Sequence, residues 1–385
     1  MTDSAARMKI VIISRGYPSA ERLYNHGFVH RRVLAYRALG HDVTVIWRHH
    51  RPHVEAYEFD GVPVKVLTPA DALALILREQ PDTVALHAPG DDFAEVIENV
   101  PPHIPVNGWI YGAEIMPFYQ VTEREGHNRE RWNKARATFE RRIAYWRSLV
   151  DRWPANFRMV FVSQFSADEA FRAVGCELPR WTVSPSPVDT QLFRHEERTA
   201  DHRFEVLSIR PFSDWRYAND LSAKAICMLA EHELFDRFRF RFMGEGHLFD
   251  EMVEPVRHFA NVSVEKSFMT QQRVAELHRT AGIFLCPTRN DAQGVSRDEA
   301  MSSGLVPVTN AVGAVPEFAD TSCAWLAPEE DHVALAQGLL TLAQKSEMFL
   351  AKSRAAASRI RETIALDKII PRELALMTPE TTTDH

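Results

Sequence analysis

The chain has 385 residues, 45% of them hydrophobic and 25% charged, a soluble-globular balance spread over more chain than one ordinary core supports, so two domains are expected. Its formal net charge of −7 argues against the basic surface of a nucleic-acid binder. No run approaches the roughly 20 apolar residues of a membrane helix, and the apolar part of "MTDSAARMKIVIIS" is too short for a secretory signal.

"MKIVIIS" reads as a strand buried on both faces of a parallel sheet, and "RGYPSAERLYNHGF" as the loop after it. Apolar residues at helical spacing through Val29, Val33, Leu34 and Ala38 predict a helix that Gly40 stops, and "DVTVIW" is the next strand. "PVKVLT", "TVALHA", "PVNGWIY" and "MVFVS" continue the strands. Ser166 and Glu169 fit a capping box for the helix that Gly175 would end. Near residue 187 the chain turns Pro-rich and aperiodic in "WTVSPSPVDTQLFRHEERTADHR", which suits an interdomain connection. A second alternation follows through "FEVLSIR", "YANDLSAKAICMLAEH", "FRFRFMG", "VSVEKS", "QQRVAELHRTA", "IFLCPT" and "LVPVTN".

Two such alternations imply two Rossmann-like, doubly wound parallel-sheet domains facing a central cleft, with ligands at the carboxyl ends of the strands. The boundaries expected are 1–187, 188–365, and a C-terminal segment 366–385 returning to the first domain, with "PETTTDH" as a frayed tail. The four cysteines, Cys176, Cys227, Cys286 and Cys323, lack zinc or redox spacing and are expected to be buried free thiols. A dinucleotide fold is argued against by its missing GxGxxG. "FMGEGHLF" has Gly244 and Gly246 but Phe249 where the third glycine belongs.

The stretch "DAQGVSRDEAMSSGLVPVTNAVGAVPEFAD" follows the strand "AGIFLCPT". Ser296 and Glu299 fit a capping box, so a short helix is expected from Ser296, its free amides favouring an anion and Gly294 admitting a ligand close to the backbone. Taken alone, Asp291 reads equally as a solvated loop acid, and Glu299 as the closure of the cap.

This stretch resembles the signature of retaining glycosyltransferases of family 4, with the GT-B architecture: an acid, seven residues, a Glu, Ala-Met, a small-residue pair, Gly, and a strand beginning Leu-x-Pro-Val. The resemblance implies that Asp291 contacts the transferred sugar and Glu299 the ribose of the nucleotide, with the backbone of Gly294, Val295 and Ser296 beside the sugar and diphosphate. Asp291 stands where the family usually has Glu. "VLSIRPFSDWRYANDLSAKAI" resembles the segment that grips the diphosphate, placing Arg210 and Arg216 there; Arg216 replaces a Lys and is shifted by one position. Phe268 and Met269 would lie near the base. In the first half Gly16, Asn25 and Gly27 would meet the acceptor. "WIYGAEIMPF" resembles a stretch with a His before Gly, where this chain has Tyr111; His87 is the substitute considered, and Glu114 an acceptor-side contact.

The resemblance implies transfer of a sugar from a nucleotide-diphosphate donor to a glycan or lipid-linked acceptor, with retention and with no protein nucleophile, metal or other cofactor. It points to bacterial cell-surface polysaccharide or glycolipid assembly in the cytoplasm. A nucleotide-sugar epimerase of the same architecture and a non-catalytic nucleotide-sugar-binding partner are the alternatives. The basic aromatic stretch 129–158 fits two settings, peripheral contact with an anionic inner leaflet or a solvated helix with its aromatics turned inward.

Overall fold

The structure, a computed structural model, describes residues 7–23, 25–50, 55–115 and 129–378. The tail expected to fray lies outside them. The described residues gather into two units, one holding 7–115, 130–185 and 369–378 and the other 129 and 186–368.

Unit 1 begins with β1 (Lys9–Ser14), α1 (Gly27–Ala38) and β2 (Asp42–Arg48), then β3 (Tyr57–Phe59), β4 (Val62–Leu67) and α2 (Pro69–Glu79). It continues through β5 (Thr83–His87), α3 (Ala94–Asn99), β6 (Val106–Ile110), α4 (Arg129–Val150), β7 (Phe157–Phe161), α5 (Gln164–Val174) and β8 (Trp181–Val183). The sheet order is β3-β4-β2-β1-β5-β6-β7-β8, parallel except for the β3–β4 hairpin. Ile10, Val11, Ile12 and Ile13 are buried on both faces, which is why β1 reads as an unbroken apolar run. Each such side chain contributes about 1.5–3 kcal/mol on burial. The strand ends are level, Ser14 standing opposite both Trp47 and His87.

Unit 2 holds β9 (Glu205–Ile209), α6 (Asn219–Leu229), β10 (Arg239–Gly244), α7 (Phe249–Val253), β11 (Val262–Lys266) and α8 (Gln271–Arg279). After these come β12 (Ile283–Leu285), α9 (Val295–Ser302), β13 (Val306–Asn310), α10 (Val315–Phe318), β14 (Trp325–Ala327), α11 (His332–Gln344) and α12 (Ser346–Thr363). Its all-parallel sheet runs β11-β10-β9-β12-β13-β14, so chain order reverses between β9 and β12. The last helix, α13 (Leu366–Met377), places residues 369–378 in unit 1.

Several expectations are corrected. Trp181–Val183, read as connection, is β8 at the edge of the unit 1 sheet. α5 is capped one turn earlier than expected: Ser163 accepts from the Ser166 N–H, and the Ser166 hydroxyl answers the Ser163 N–H, so Ser166 is the third residue of the helix. Gly175 does end it. All four cysteines are free, but Cys176, just past the end of α5, is exposed and Cys227, at the edge of the unit 2 core, is half-buried. Along α4, Trp146 and Leu149 are fully buried and Phe139 and Tyr145 pack on the same core, as does Trp153 just after the helix. The aromatics of stretch 129–158 thus largely serve their own domain.

Candidate functional site

The point where strand order reverses leaves a crevice at the carboxyl ends of the two strands, since their connections leave in opposite directions. In unit 2 these strands are β9 and β12. Arg210, next after β9, is buried; its Nη1 donates to Ser296 Oγ at 2.9 Å, its N–H donates to Met243 O, and its Nε has no acceptor among the described residues. Arg216 lies in a short turn after β9, half-exposed and paired with Asp214 at 2.8 Å. Both guanidinium groups face the Tyr217 ring, at 5.1 and 5.7 Å. Arg216 O accepts from the Thr288 hydroxyl and from the Arg289 N–H, which fastens the β9 loop to the end of β12. A Cβ at Gly246 would come within 2.0 Å of the Phe212 backbone, at a φ of 149°, so this glycine is dictated by close packing beneath Arg210–Ser213.

The loop after β12 carries Asp291, whose Oδ1 accepts from the Gln293 N–H at 3.2 Å and whose carbonyl accepts from the Ala314 N–H. The helix-start expectation is wrong by one device. α9 begins at Val295 behind a left-handed Gly294, φ 98°, with no side-chain cap. Ser296 and Glu299 therefore form no capping box; the Ser296 hydroxyl receives Arg210, and Glu299 is a buried member of the helix. The first-turn amides of α9 remain unused by the helix itself.

Beneath this loop lies a buried polar network that the sequence reading missed. Arg297 is paired with the fully buried Asp298 at 2.7 Å, and burial pushes the Asp298 carboxyl up to about 6 against the pull of that guanidinium. Gln293 donates to Asp298 at 3.1 Å and exchanges two hydrogen bonds with the Ser186 backbone, at 2.7 and 2.9 Å. The adjacent opposite charges in an otherwise small-residue helix were the available signal. Phe268 and Met269 follow β11, the latter buried, also at the carboxyl edge.

In unit 1 the strand order turns between β1 and β5. His87 closes β5 and is not isolated: its Nδ1 shares a 2.7 Å hydrogen bond with the Tyr111 hydroxyl, and the two rings stack. Burial, then Arg32 and His26, hold its pKa well below the ordinary value, so it is neutral at pH 7. Its Nε2 is buried without a partner among the described residues. Tyr111 donates its N–H to Glu114 at 2.9 Å, fixing the turn after β6. Gly16 lies against Asn25, since a Cβ there would fall 2.1 Å from Asn25 Oδ1, and Gly27 opens α1. Behind Tyr111, at 6.0 Å from its ring, stands Arg32, fully buried and paired with the fully buried Glu373 of α13 at 2.9 Å; Tyr36 donates to the same carboxylate at 2.6 Å. No local pattern announces a pair 341 residues apart.

Among solved structures, sucrose-phosphate synthase from Thermosynechococcus elongatus matches with a TM-score of 0.72 at 12% identity, covering 96% of this chain and 98% of its own. HepE of Anabaena, in complex with UDP and glucose, matches with 0.69 at 12% identity, covering 96% and 99%. The chain has the GT-B fold, two parallel-sheet α/β domains. Residues 204–345, within unit 2, match the family described as Glycosyl transferases group 1. Over 215 residues the chain is 26% identical to the putative colanic acid biosynthesis glycosyltransferase WcaL of Escherichia coli K12, covering 52% of each. It spans about half the length of the curated relative it matches.

Proposed function

We propose that the protein is a glycosyltransferase of family 4 type that moves a sugar, with retention, from a nucleotide-diphosphate sugar to an acceptor hydroxyl in bacterial surface polysaccharide or glycolipid assembly. The observation that carries this is the meeting, at the unit 2 reversal point, of Arg210 with Ser296 and the unused amides of α9. A buried guanidinium facing a helix start suits a diphosphate, whose charge grows as it leaves. The similarity to WcaL and the UDP and glucose found with HepE support this donor class.

In this reading a bond forms between the acceptor oxygen and the anomeric carbon while the bond from that carbon to the diphosphate breaks. The acceptor proton passes to a phosphate oxygen, so no protein nucleophile or metal is needed. Arg210, Arg216 and the backbone of Gly294, Val295 and Ser296 hold the diphosphate. Asp291 meets the sugar hydroxyls, Glu299 the ribose, and Phe268 and Met269 the base. Gly16, Asn25, Gly27, Tyr111 and Glu114 shape the acceptor side, and His87, held neutral, reaches the reacting sugar through Nε2.

Among the described residues no helix is long and apolar enough to cross a membrane. In this reading the protein is cytoplasmic, and contact with the inner leaflet through 129–158 is electrostatic, since the helix spends its aromatics on the core. Vesicle flotation with and without anionic lipid tests it. The function itself is tested by thermal-shift screening of UDP, GDP, ADP and their sugars, then by product analysis with lipid-linked acceptors. A ligand at 100 times its dissociation constant stabilises by about 2.7 kcal/mol. Absence of both shift and transfer across the set overturns the reading.

A further inference from the structure

The carboxyl ends of the central strands of unit 1 hold a group of guanidinium side chains that the transfer chemistry above does not use. Arg15 follows β1 and Arg48 ends β2, while Arg142 reaches in from α4. They converge on the loop after β5. Arg15 Nη2 pairs with Asp92 Oδ1 at 2.9 Å, and Arg48 Nη2 pairs with Asp92 Oδ2 at 2.5 Å. Arg48 Nη1 also meets the His50 ring at 3.1 Å. Arg142 Nη1 donates to Ala113 O at 2.6 Å, and Arg141 pairs with Asp91 at 2.5 Å on the rim. Among the described residues one carboxylate thus serves two of the three inner guanidinium groups, and the hydrogen-bond partner of Arg142 is a neutral carbonyl. Glu114, the other acid nearby, is engaged by the Tyr111 N–H.

Two observations, with the close approach at Gly90, show guanidinium N–H groups left without acceptors among the described residues. The Nε atoms of Arg15, Arg48 and Arg142 are buried with no acceptor among the described residues, and Arg48 as a whole is 6% exposed. Burial, then mutual repulsion against the pull of the acids, lowers the affinity of Arg48 and Arg142 for their protons, and Arg15 likewise helps push His26 down to about 4. A Cβ at Gly90 would fall 2.8 Å from Arg15 Nη2, 3.1 Å from Asp92 Oδ1 and 3.8 Å from Arg142 Nε, so the bare glycine is what lets both cations approach this loop. Cations buried near one another without full compensation are costly to the fold, and an anionic ligand removes that cost.

We propose that this cluster is a phosphoryl-binding subsite, and that the acceptor carries a phosphate or diphosphate group. Calling the ligand an acceptor rests on the transferase reading; the anion site itself does not. Cations approaching from β1, β2 and α4 can each meet a different oxygen of a tetrahedral phosphoryl group. Asp91 and Asp92 then orient the forks rather than neutralise them.

The test is calorimetric titration of the full chain with inorganic pyrophosphate, every protein compared, the wild-type reference included, also carrying Arg210→Ala so that the diphosphate grip proposed for unit 2 does not contribute. Arg142→Met, on a half-exposed residue, is expected to weaken binding at least tenfold, and Arg142→Lys to recover part of it. Arg48→Met should also weaken it, while Arg147→Met on the same helix, whose guanidinium bonds Val174 O and Ala173 O, should bind as the wild type does. Thermal melts confirm that each variant folds. Wild-type affinity in folded Arg142→Met and Arg48→Met, or no binding by the wild type, overturns the proposal. Cosedimentation with phosphatidic acid vesicles that Arg142→Met abolishes would assign the phosphoryl group to a lipid. Pyrophosphate binding without cosedimentation would assign it to a soluble acceptor. Failure of the transferase reading would look different: no nucleoside diphosphate release from any sugar nucleotide, with pyrophosphate binding intact.

Discussion

The two units solve the same geometric problem with different materials. Unit 2 builds its crevice from neighbours in the chain: Arg210 lies over a glycine turn that admits no Cβ, and Gly294 to Glu299 follow β12 within one short loop and helix. Unit 1 assembles its side from distant parts, with His87 held by Tyr111, Tyr111 backed by Arg32, and Arg32 answered by Glu373 of α13. Local construction favours a rigid, preformed loop geometry, as the proposed diphosphate grip would need. Long-range construction makes the geometry around His87 depend on the integrity of the whole domain.

The largest expected effect breaks the second kind of construction. Glu373→Ala leaves Arg32 charged and buried without its partner, at a cost of about 3–5 kcal/mol, read as a lower denaturant midpoint. An unchanged midpoint would sink the idea that α13 completes unit 1. Next, Arg210→Ala in unit 2 should leave the fold intact and lower transfer by about 10²–10³-fold, or ~3–4 kcal/mol of transition-state stabilisation. Wild-type turnover would remove Arg210 from the grip, and a large fall in melting temperature would show that it is structural.

Smaller effects sharpen the contrast through pH. His278 in unit 2 is pushed down to about 3 by burial and Arg198, and His87 in unit 1 lies well below its ordinary value. Below pH ~6.5 the unfolded chain takes up protons that the folded chain refuses. Stability conferred by these rings is therefore present above that pH and lost as pH falls, by up to about 1.4 kcal/mol per pH unit for each. Denaturation at pH 7 and pH 5 measures the slope, and His278→Gln should flatten it. Smallest, Ser163→Ala removes the cap of α5 and should cost about 1 kcal/mol, with no effect on donor binding by unit 2.

The contrast also explains what the sequence revealed. Alternating strands and helices were legible because β1 and its neighbours are apolar on both faces, and the residues of the proposed anion grip could be named together because they are close in the chain. The starts of α5 and α9 were misread because several residues near each could serve as caps. In α5 Ser163 took the place given to Ser166, and in α9 a left-handed glycine did the capping while the serine bonded to Arg210. Arg32 and Glu373 were invisible, since helical charges read as solvated until a partner 341 residues away is known.

The contact between α1 and α13 also bears on the order in which the protein takes shape during synthesis. The main stretch of unit 2, 186–368, is continuous and can close as soon as it leaves the ribosome. Unit 1 cannot bury Arg32 with its counter-charge until position 373 has emerged, although most of its residues are made first. The half that is translated earlier is thus the half that matures last.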